Sequence, residues 1–160
     1  MRTHANYKPT RISLLTILCR HLEPGGYLEM QDFLVPYASD DGTLKEDNPL
    51  YYASTLFVKA GEVGGRPNHL APYYKRYFER AGFVDVVEKR FRWPLNTWPK
   101  DPYYKDIGAW TQENLEVGIE GILMALYTRF LGWTKEEVLV FCAKFRAALR
   151  DRSVHAYSPV

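Results

Sequence analysis

Four histidines, His4, His21, His69 and His155, are the chain's proton-transfer candidates. Histidine titrates near neutrality, so it is the first side chain to weigh as a general acid or base. His69 follows Gly64-Gly65-Arg66-Pro67-Asn68, a loop in which solvation is the ordinary fate. His155 lies in a short run of strand character, where a hydrogen-bonded structural role is the commoner one. His4 and His21 read as exposed. None has metal-ligand spacing to another His or to Cys, so no metal site is expected. Gln31 and Asp32 close another strand candidate, and ligands bind at the carboxyl ends of strands in open α/β sheets. Asp32 is thus a candidate to orient a substrate hydroxyl, with turn capping as its alternative role. His69 and Asp32 are the candidates for catalysis. Tyr51, Tyr52, Trp110 and Asn114, with Gln31, Asp32 and His69, are candidates to line a substrate pocket, core packing being the commoner fate of any one aromatic ring. Glu113, Glu116 and Glu120 read as a solvated helix face, and Asp40-Asp41 and Glu46-Asp47 as solvated turns. No local motif supports a Ser/His/Asp or Cys/His nucleophile.

The elements that must position these residues follow from periodicity and punctuation. Residues 10–22 carry apolar positions at helical spacing, with Ile12, Leu15, Cys19 and Leu22 on one face. Pro24-Gly25-Gly26 ends that helix. Tyr27 to Val35 is a strand candidate. Asn48-Pro49 is a strong helix start, Asn as cap and Pro at the first helical position, and Gly64-Gly65 is its stop. A short helix over residues 72–81 stops at Gly82, and Phe83 to Trp93 is strand-like. A long helical pattern covers residues 104–131 and includes Gly108, Gly118 and Gly121. Each glycine costs up to about 1 kcal/mol relative to Ala in a helix interior, which points to close packing or a break near Gly118. Thr134-x-x-Glu137 is a capping box opening a helix to about Arg150. Val154 to Val160 is a last strand.

Composition narrows the function classes. The net charge is +2, from 21 basic and 19 acidic residues interspersed along the chain. No basic stripe of the kind that holds a phosphate backbone is present, so nucleic acid is not an expected partner. Aromatic residues make up 15%, including 12 Tyr and 4 Trp, a composition that suits half-wet pockets and interfaces as well as an aromatic core. Cys19 and Cys142 sit in apolar helical patterns and read as buried free thiols, which fits a reducing compartment such as the cytoplasm. No apolar run is long enough for a membrane span, so no membrane association is expected. At 160 residues a single domain, residues 1–160, is expected.

The helix, Leu-x-Pro-Gly-Gly turn and strand at Leu22-Glu23-Pro24-Gly25-Gly26-Tyr27-Leu28-Glu29-Met30-Gln31 resemble the fifth-strand segment of class I S-adenosylmethionine-dependent methyltransferases. With Asp40-Asp41-Gly42-Thr43-Leu44, Asn48-Pro49-Leu50, and Phe78-Glu79-Arg80-Ala81-Gly82-Phe83-Val84-Asp85-Val86, the likeness becomes more specific. Trp98-Pro99-Lys100-Asp101, Leu131-Gly132-Trp133, and Arg152-Ser153-Val154-His155-Ala156-Tyr157-Ser158-Pro159-Val160 complete an ordered set. That set resembles the C-terminal half of the fungal LaeA-like methyltransferases, a family associated with secondary metabolism. The resemblance implies an α/β fold, half of a Rossmann-like methyltransferase, with a small mixed sheet of strands near 27–35, 83–93 and 154–160 covered by helices. It also implies that the last of these lies between the other two, antiparallel to both. A small natural product is the implied substrate, and nuclear placement is implied as an alternative to the cytoplasm.

The family's cofactor motif, a Gly-rich turn after the first strand and an acidic residue ending the second, has no counterpart in this chain. The expectation is therefore a truncated domain that binds no S-adenosylmethionine alone and needs a complementary half for methyl transfer. Without the preceding strands the 27–33 edge is unpaired, and such an edge recruits another strand. A second copy, a separate polypeptide, or residues 1–9 are the expected caps. Two further functions are open at this point: a cofactor-independent cyclase or isomerase that reuses the pocket, and a non-catalytic module for protein interaction.

Overall fold

The computed structural model describes residues 11–160. Its helices begin and end where local chemistry dictates. Helix α1 (Arg11–His21) precedes a tight turn closed by Gly26 N donating to Glu23 O at 2.8 Å, with Gly25 at φ +81°. Helix α2 (Pro49–Val63) starts on Asn48, whose side chain accepts from Leu50 N at 2.9 Å, with Pro49 in the first turn. A 3-10 turn at Ala71–Tyr73 leads into α3 (Tyr74–Ala81), which stops at Gly82 with φ +103°. After strand β1 (Arg92–Pro94), Asp101 caps α4 (Pro102–Phe130) by accepting from Tyr104 N at 3.1 Å. Helix α5 (Lys135–Arg150) opens on the expected capping box: Thr134 Oγ1 accepts from Glu137 N, and Glu137 accepts from Thr134 N. Strand β2 (Tyr157–Pro159) follows. No described helix is long and apolar enough to cross a membrane.

The described residues divide into two compact units, one from residues 11–31 and 70–89, the other from residues 32–69 and 90–160. The smaller unit packs Leu15 of α1 against Phe78 and Ala81 of α3, with Leu28, Tyr74, Tyr77, Phe83 and Val86 around them. The Phe78 and Phe83 rings lie 5.0 Å apart. Leu14, Ile17 and Leu18 on α1 stay substantially exposed.

The larger unit has a core of Leu50 and Ala53 from α2, Ile119, Leu123 and Tyr127 from α4, and Val138, Phe141, Cys142, Phe145 and Leu149 from α5. Each such large apolar side chain contributes about 1.5–3 kcal/mol by leaving water. Tyr127 is fully buried, and its hydroxyl donates to Ala53 O at 2.9 Å, so α4 and α2 are joined by a hydrogen bond inside the core. Glu116 of α4 accepts from Arg150 Nε at 3.0 Å and Nη2 at 2.6 Å, and its carbonyl accepts from Arg146 Nε at 2.8 Å. Glu116 therefore locks α4 to α5 and does not belong to a solvated face. Helix α4 passes unbroken through its glycines. A Cβ at Gly108 would meet Asn96 O at 2.1 Å, the close approach expected of one of them, whereas Gly121 has nothing within 4 Å.

The sheet is smaller than its sequence pattern predicts, but its order is the expected one. β1 and β2 pair antiparallel in the register Arg92↔Pro159, Trp93↔Ser158, Pro94↔Tyr157. Phe91 and Val160 exchange two further hydrogen bonds, and Leu95 N donates to Ala156 O. On its other side β2 meets residues 34–38: Leu34 N donates to Pro159 O, and Ala38 bridges Tyr157 antiparallel. β2 thus runs between two segments and antiparallel to both, in a partial Rossmann-like methyltransferase sheet. No named strand is formed over residues 27–33, and the contacts to β2 run through Leu34 and Ala38. The 83–93 pattern shortens to Arg92–Pro94 because Asp85 adopts φ +52°, a left-handed conformation incompatible with a strand. The expected cap by residues 1–9 lies outside the described residues.

Candidate functional site

Within the larger unit the carboxyl ends of residues 34–38 and of β1 meet the amino end of β2. In α/β sheets this rim is where ligands bind. After Ala38 the chain turns through Asp40 and Asp41, with Gly42 at φ +71°. Asp41 Oδ1 accepts from Thr43 N at 3.0 Å and from Thr43 Oγ1 at 2.8 Å. The same Thr43 hydroxyl oxygen accepts from His155 N at 2.8 Å. This loop delivers Asp41 Oδ2 to 2.5 Å from His155 Nδ1.

The imidazole is held on a second side. Its ring lies 4.8 Å from that of Trp98, tilted by 31°. Trp98 is anchored by Nε1 donating to Ala156 O at 3.0 Å, and by its N–H donating to Asn96 Oδ1 at 2.9 Å. Asn96 is fully buried, and its amide donates to Leu149 O and Asp151 O at the end of α5. The ring's orientation is therefore fixed from the core outward.

Electrostatics assigns the proton. Hydrogen bonds from Thr43 N, His155 and Thr43 Oγ1 hold the Asp41 carboxyl down at about 2. At neutral pH Asp41 is a carboxylate and can only accept, so His155 Nδ1 donates. In the neutral imidazole Nε2 then carries the lone pair. No hydrogen bond to Nε2 exists among the described residues, and the His155 side chain is 39% exposed. Beside this pair, Asp40 accepts from Tyr157 Oη at 2.8 Å and pairs with Arg92 at 2.6 Å. The Arg92 guanidinium lies 5.3 Å from the Tyr157 ring centroid. The hydrogen bond to Asp40 raises the Tyr157 hydroxyl's pKa. Asp40 and Asp41 are exposed turn residues, as read from sequence, and they also partner strand-side residues. The signal was present in the two motifs Asp40-Asp41-Gly42-Thr43-Leu44 and Ser153-Val154-His155-Ala156-Tyr157. Joining them required using the strand order, which places the loop after the 34–38 segment beside the start of β2.

The residues singled out from sequence take other positions. Asp32 accepts from its neighbour Phe33 N at 2.9 Å, a local turn contact. Gln31, in the smaller unit, donates to Glu29 at 2.7 Å. His69 Nε2 lies 3.9 Å from Glu62, and its Nδ1 is buried with no hydrogen-bond partner, as is Asn68 Oδ1. Tyr52 packs edge-on against Phe141 at 5.9 Å. Tyr51 is half-buried on α2, its carbonyl accepting from Ser54 Oγ at 2.7 Å. Trp110 is 77% exposed and Asn114, one turn on, is exposed too. No hydrogen bond or ring contact joins Tyr51, Tyr52, His69, Trp110 and Asn114 to one another. Among the described residues no group of three or more His, Cys, Asp or Glu could hold a metal ion.

The described residues do not fit S-adenosylmethionine. Its site needs a Gly-rich turn between a strand and a helix N-terminus. Here Gly25, Gly65, Gly82 and Gly132 all lie beyond helix C-termini, and Gly42 belongs to the Asp41 loop.

No family model matches the chain, and no solved structure matches it significantly. Curated relatives do. The chain is 37% identical over 139 residues to a probable methyltransferase, tdiE, of Emericella nidulans, covering 87% of this chain and 44% of that protein. It is 36% identical over 136 residues to the methyltransferase pytC of Aspergillus terreus, covering 85% of this chain and 42% of that one. It is 33% identical over 142 residues to the secondary metabolism regulator LAE1 of Cochliobolus heterostrophus, covering 88% and 46%. The chain therefore spans less than half the length of each of these three. Over nearly all of its own length the chain is similar to fungal methyltransferases and LaeA-like regulators, consistent with a fragment of a LaeA-like methyltransferase.

Proposed function

We propose that this chain supplies the substrate-side half of a LaeA-like methyltransferase, acting on a small natural product in fungal secondary metabolism. A complementary polypeptide half would hold S-adenosylmethionine. The observation that carries this reading is the arrangement of residues 34–38, β2 and β1, whose carboxyl rim gathers Asp41, Trp98 and His155 while no described turn suits the cofactor. The complementary half would add a strand along residues 27–31, where Tyr27 is 95% exposed.

Isothermal titration with S-adenosylmethionine tests the proposal. The chain alone is expected to give no heat of binding. A mixture with the unmatched remainder of the Emericella nidulans relative is expected to bind it, and light scattering is expected to report a complex of the two. Micromolar binding by this chain alone would overturn the assignment of the cofactor to another half. Absence of both complex and binding in the mixture would overturn complementation.

A further inference from the structure

We propose that His155 is a general base, its Nε2 taking a proton from a small carbon or oxygen acid such as an enolisable ketone or a phenol. Asp41 is the positioning residue that holds the ring for this. The inference goes beyond methyl transfer, because proton abstraction needs no methyl donor.

Four observations converge on it. Asp41 lies 2.5 Å from Nδ1, so one imidazole nitrogen is committed to a carboxylate. Asp41 is itself fixed by two hydrogen bonds from Thr43, and the same threonine oxygen accepts from His155 N. Trp98 bounds the ring at 4.8 Å. The side chain is 39% exposed, with no described partner on Nε2. A histidine kept for structure needs one hydrogen bond and burial. This one is met by a loop carboxylate that Thr43 holds in place, and it presents its second nitrogen outward. A base whose far nitrogen is held by a third group is the recurring arrangement for proton abstraction. The location agrees, since the ring stands where the 34–38 segment and β1 end.

In the proposed step the Nε2 lone pair takes the substrate proton and the imidazole becomes imidazolium, its Nδ1–H still donating to Asp41. The electron pair of the broken C–H or O–H bond stays on the substrate as an enolate or phenolate. Asp40, Arg92 and Tyr157 lie beside this pair, and Arg92 keeps the local field from being wholly negative.

The experiment uses the full chain and a nitrobenzisoxazole, a probe that opens when a base removes its ring C–H proton. The C–H electron pair forms the nitrile, the N–O bond breaks, the phenolate leaves as a coloured product, and the imidazolium returns its proton to water. The chain is expected to open the probe faster than free imidazole at equal concentration. H155Q is expected to lower kcat/KM by about 100-fold, the lower end of what general-base catalysis supplies. D41N is expected to reduce the rate while the protein stays folded. In parallel, nitrogen-15 NMR of the unmodified chain reads the tautomer, which is expected to carry its proton on Nδ1. D41N is expected to move the population toward Nε2–H and to lower the rate in step with the Nε2 lone pair lost, a coupling that a merely structural carboxylate would not produce. A rate no greater than imidazole's, full activity in H155Q, or a proton on Nε2 in the unmodified chain would each overturn the proposal. The NMR reading stands even if a variant fails to fold. None of these results touches the cofactor titration above, so the two readings fail separately.

Discussion

Asp41 and His155 are 114 positions apart in sequence and 2.5 Å apart in the folded chain. Their contact ties the loop after residues 34–38 to the extended run entering β2. It also gives the fold a specific response to acid. The Asp41 carboxyl is held at about 2, below its ordinary 3.8, first by Thr43 N and then by His155. A group whose folded value is depressed adds stability that is complete above its unfolded value and lost as pH falls through the folded one. Wild type is therefore expected to melt higher than D41N at neutral pH. That difference is expected to shrink below about pH 4 and to be largely gone near pH 2. Thermal unfolding of both proteins across this range checks it, and a difference independent of pH would show that the carboxylate is not the source.

The helices were legible in the sequence because their signals are local. Asn48-Pro49 and Thr134 with Glu137 form the caps that their residue types predict, and the face Val138, Phe141, Cys142, Phe145, Leu149 is buried as its spacing requires. Strands carry no such local guarantee. Tyr27 to Phe33 has strand composition, yet no named strand forms there, because a strand exists only where a partner strand lies alongside. The candidate site was legible only in pieces. Asp41 reads as a turn residue and His155 as a strand residue until the strand order sets them side by side. Asn96 had no signal at all, since nothing near it in sequence announces that the end of α5 will need its amide.

Asn96 carries a prediction of its own. It is fully buried, donates to Leu149 O and Asp151 O, and accepts from Trp98 N. Replacing it by alanine leaves those groups without partners in the interior, at a cost of about 1–3 kcal/mol. For a chain of this size that is roughly 2–4 °C of Tm for each kcal/mol. Because Asn96 also sets Trp98, N96A is expected to alter Trp98 packing against His155, visible as a shift of the His155 ring resonances. Unchanged resonances would show that Trp98 is held by Ala156 alone.

Two glycines in the same helix are expected to respond to alanine in opposite directions. At Gly108 an added Cβ would sit 2.1 Å from Asn96 O and 3.3 Å from Pro94 Cβ. G108A must push α4 away from β1, and a loss of at least about 3 kcal/mol is expected, in the range of severe overpacking. At Gly121 nothing lies within 4 Å. G121A is expected to gain up to about 1 kcal/mol by removing glycine's entropy penalty in a helix interior. Denaturant midpoints of the two variants measure both signs. A stabilising G108A would mean that α4 does not lie against residue 96 in solution.

The bond between Tyr127 and Ala53 is the most direct test of how α2 is fixed to α4. The Tyr127 ring is fully buried, edge-on to Trp133 at 5.1 Å, and its hydroxyl reaches Ala53 O at 2.9 Å. Burial raises the phenol's pKa, so it stays a neutral donor throughout the physiological range. Y127F keeps the ring and its packing but removes the only hydroxyl donor to that carbonyl among the described contacts. The expected loss is about 0.5–1.5 kcal/mol, the net worth of one hydrogen bond, because Ala53 O lies inside α2 and keeps its helical donor. Y127L, which also removes the aromatic neighbours of Trp133 and Phe141, is expected to lose more. Chemical denaturation of the pair separates the two contributions. A Y127F midpoint equal to wild type would mean that ring packing alone joins the helices.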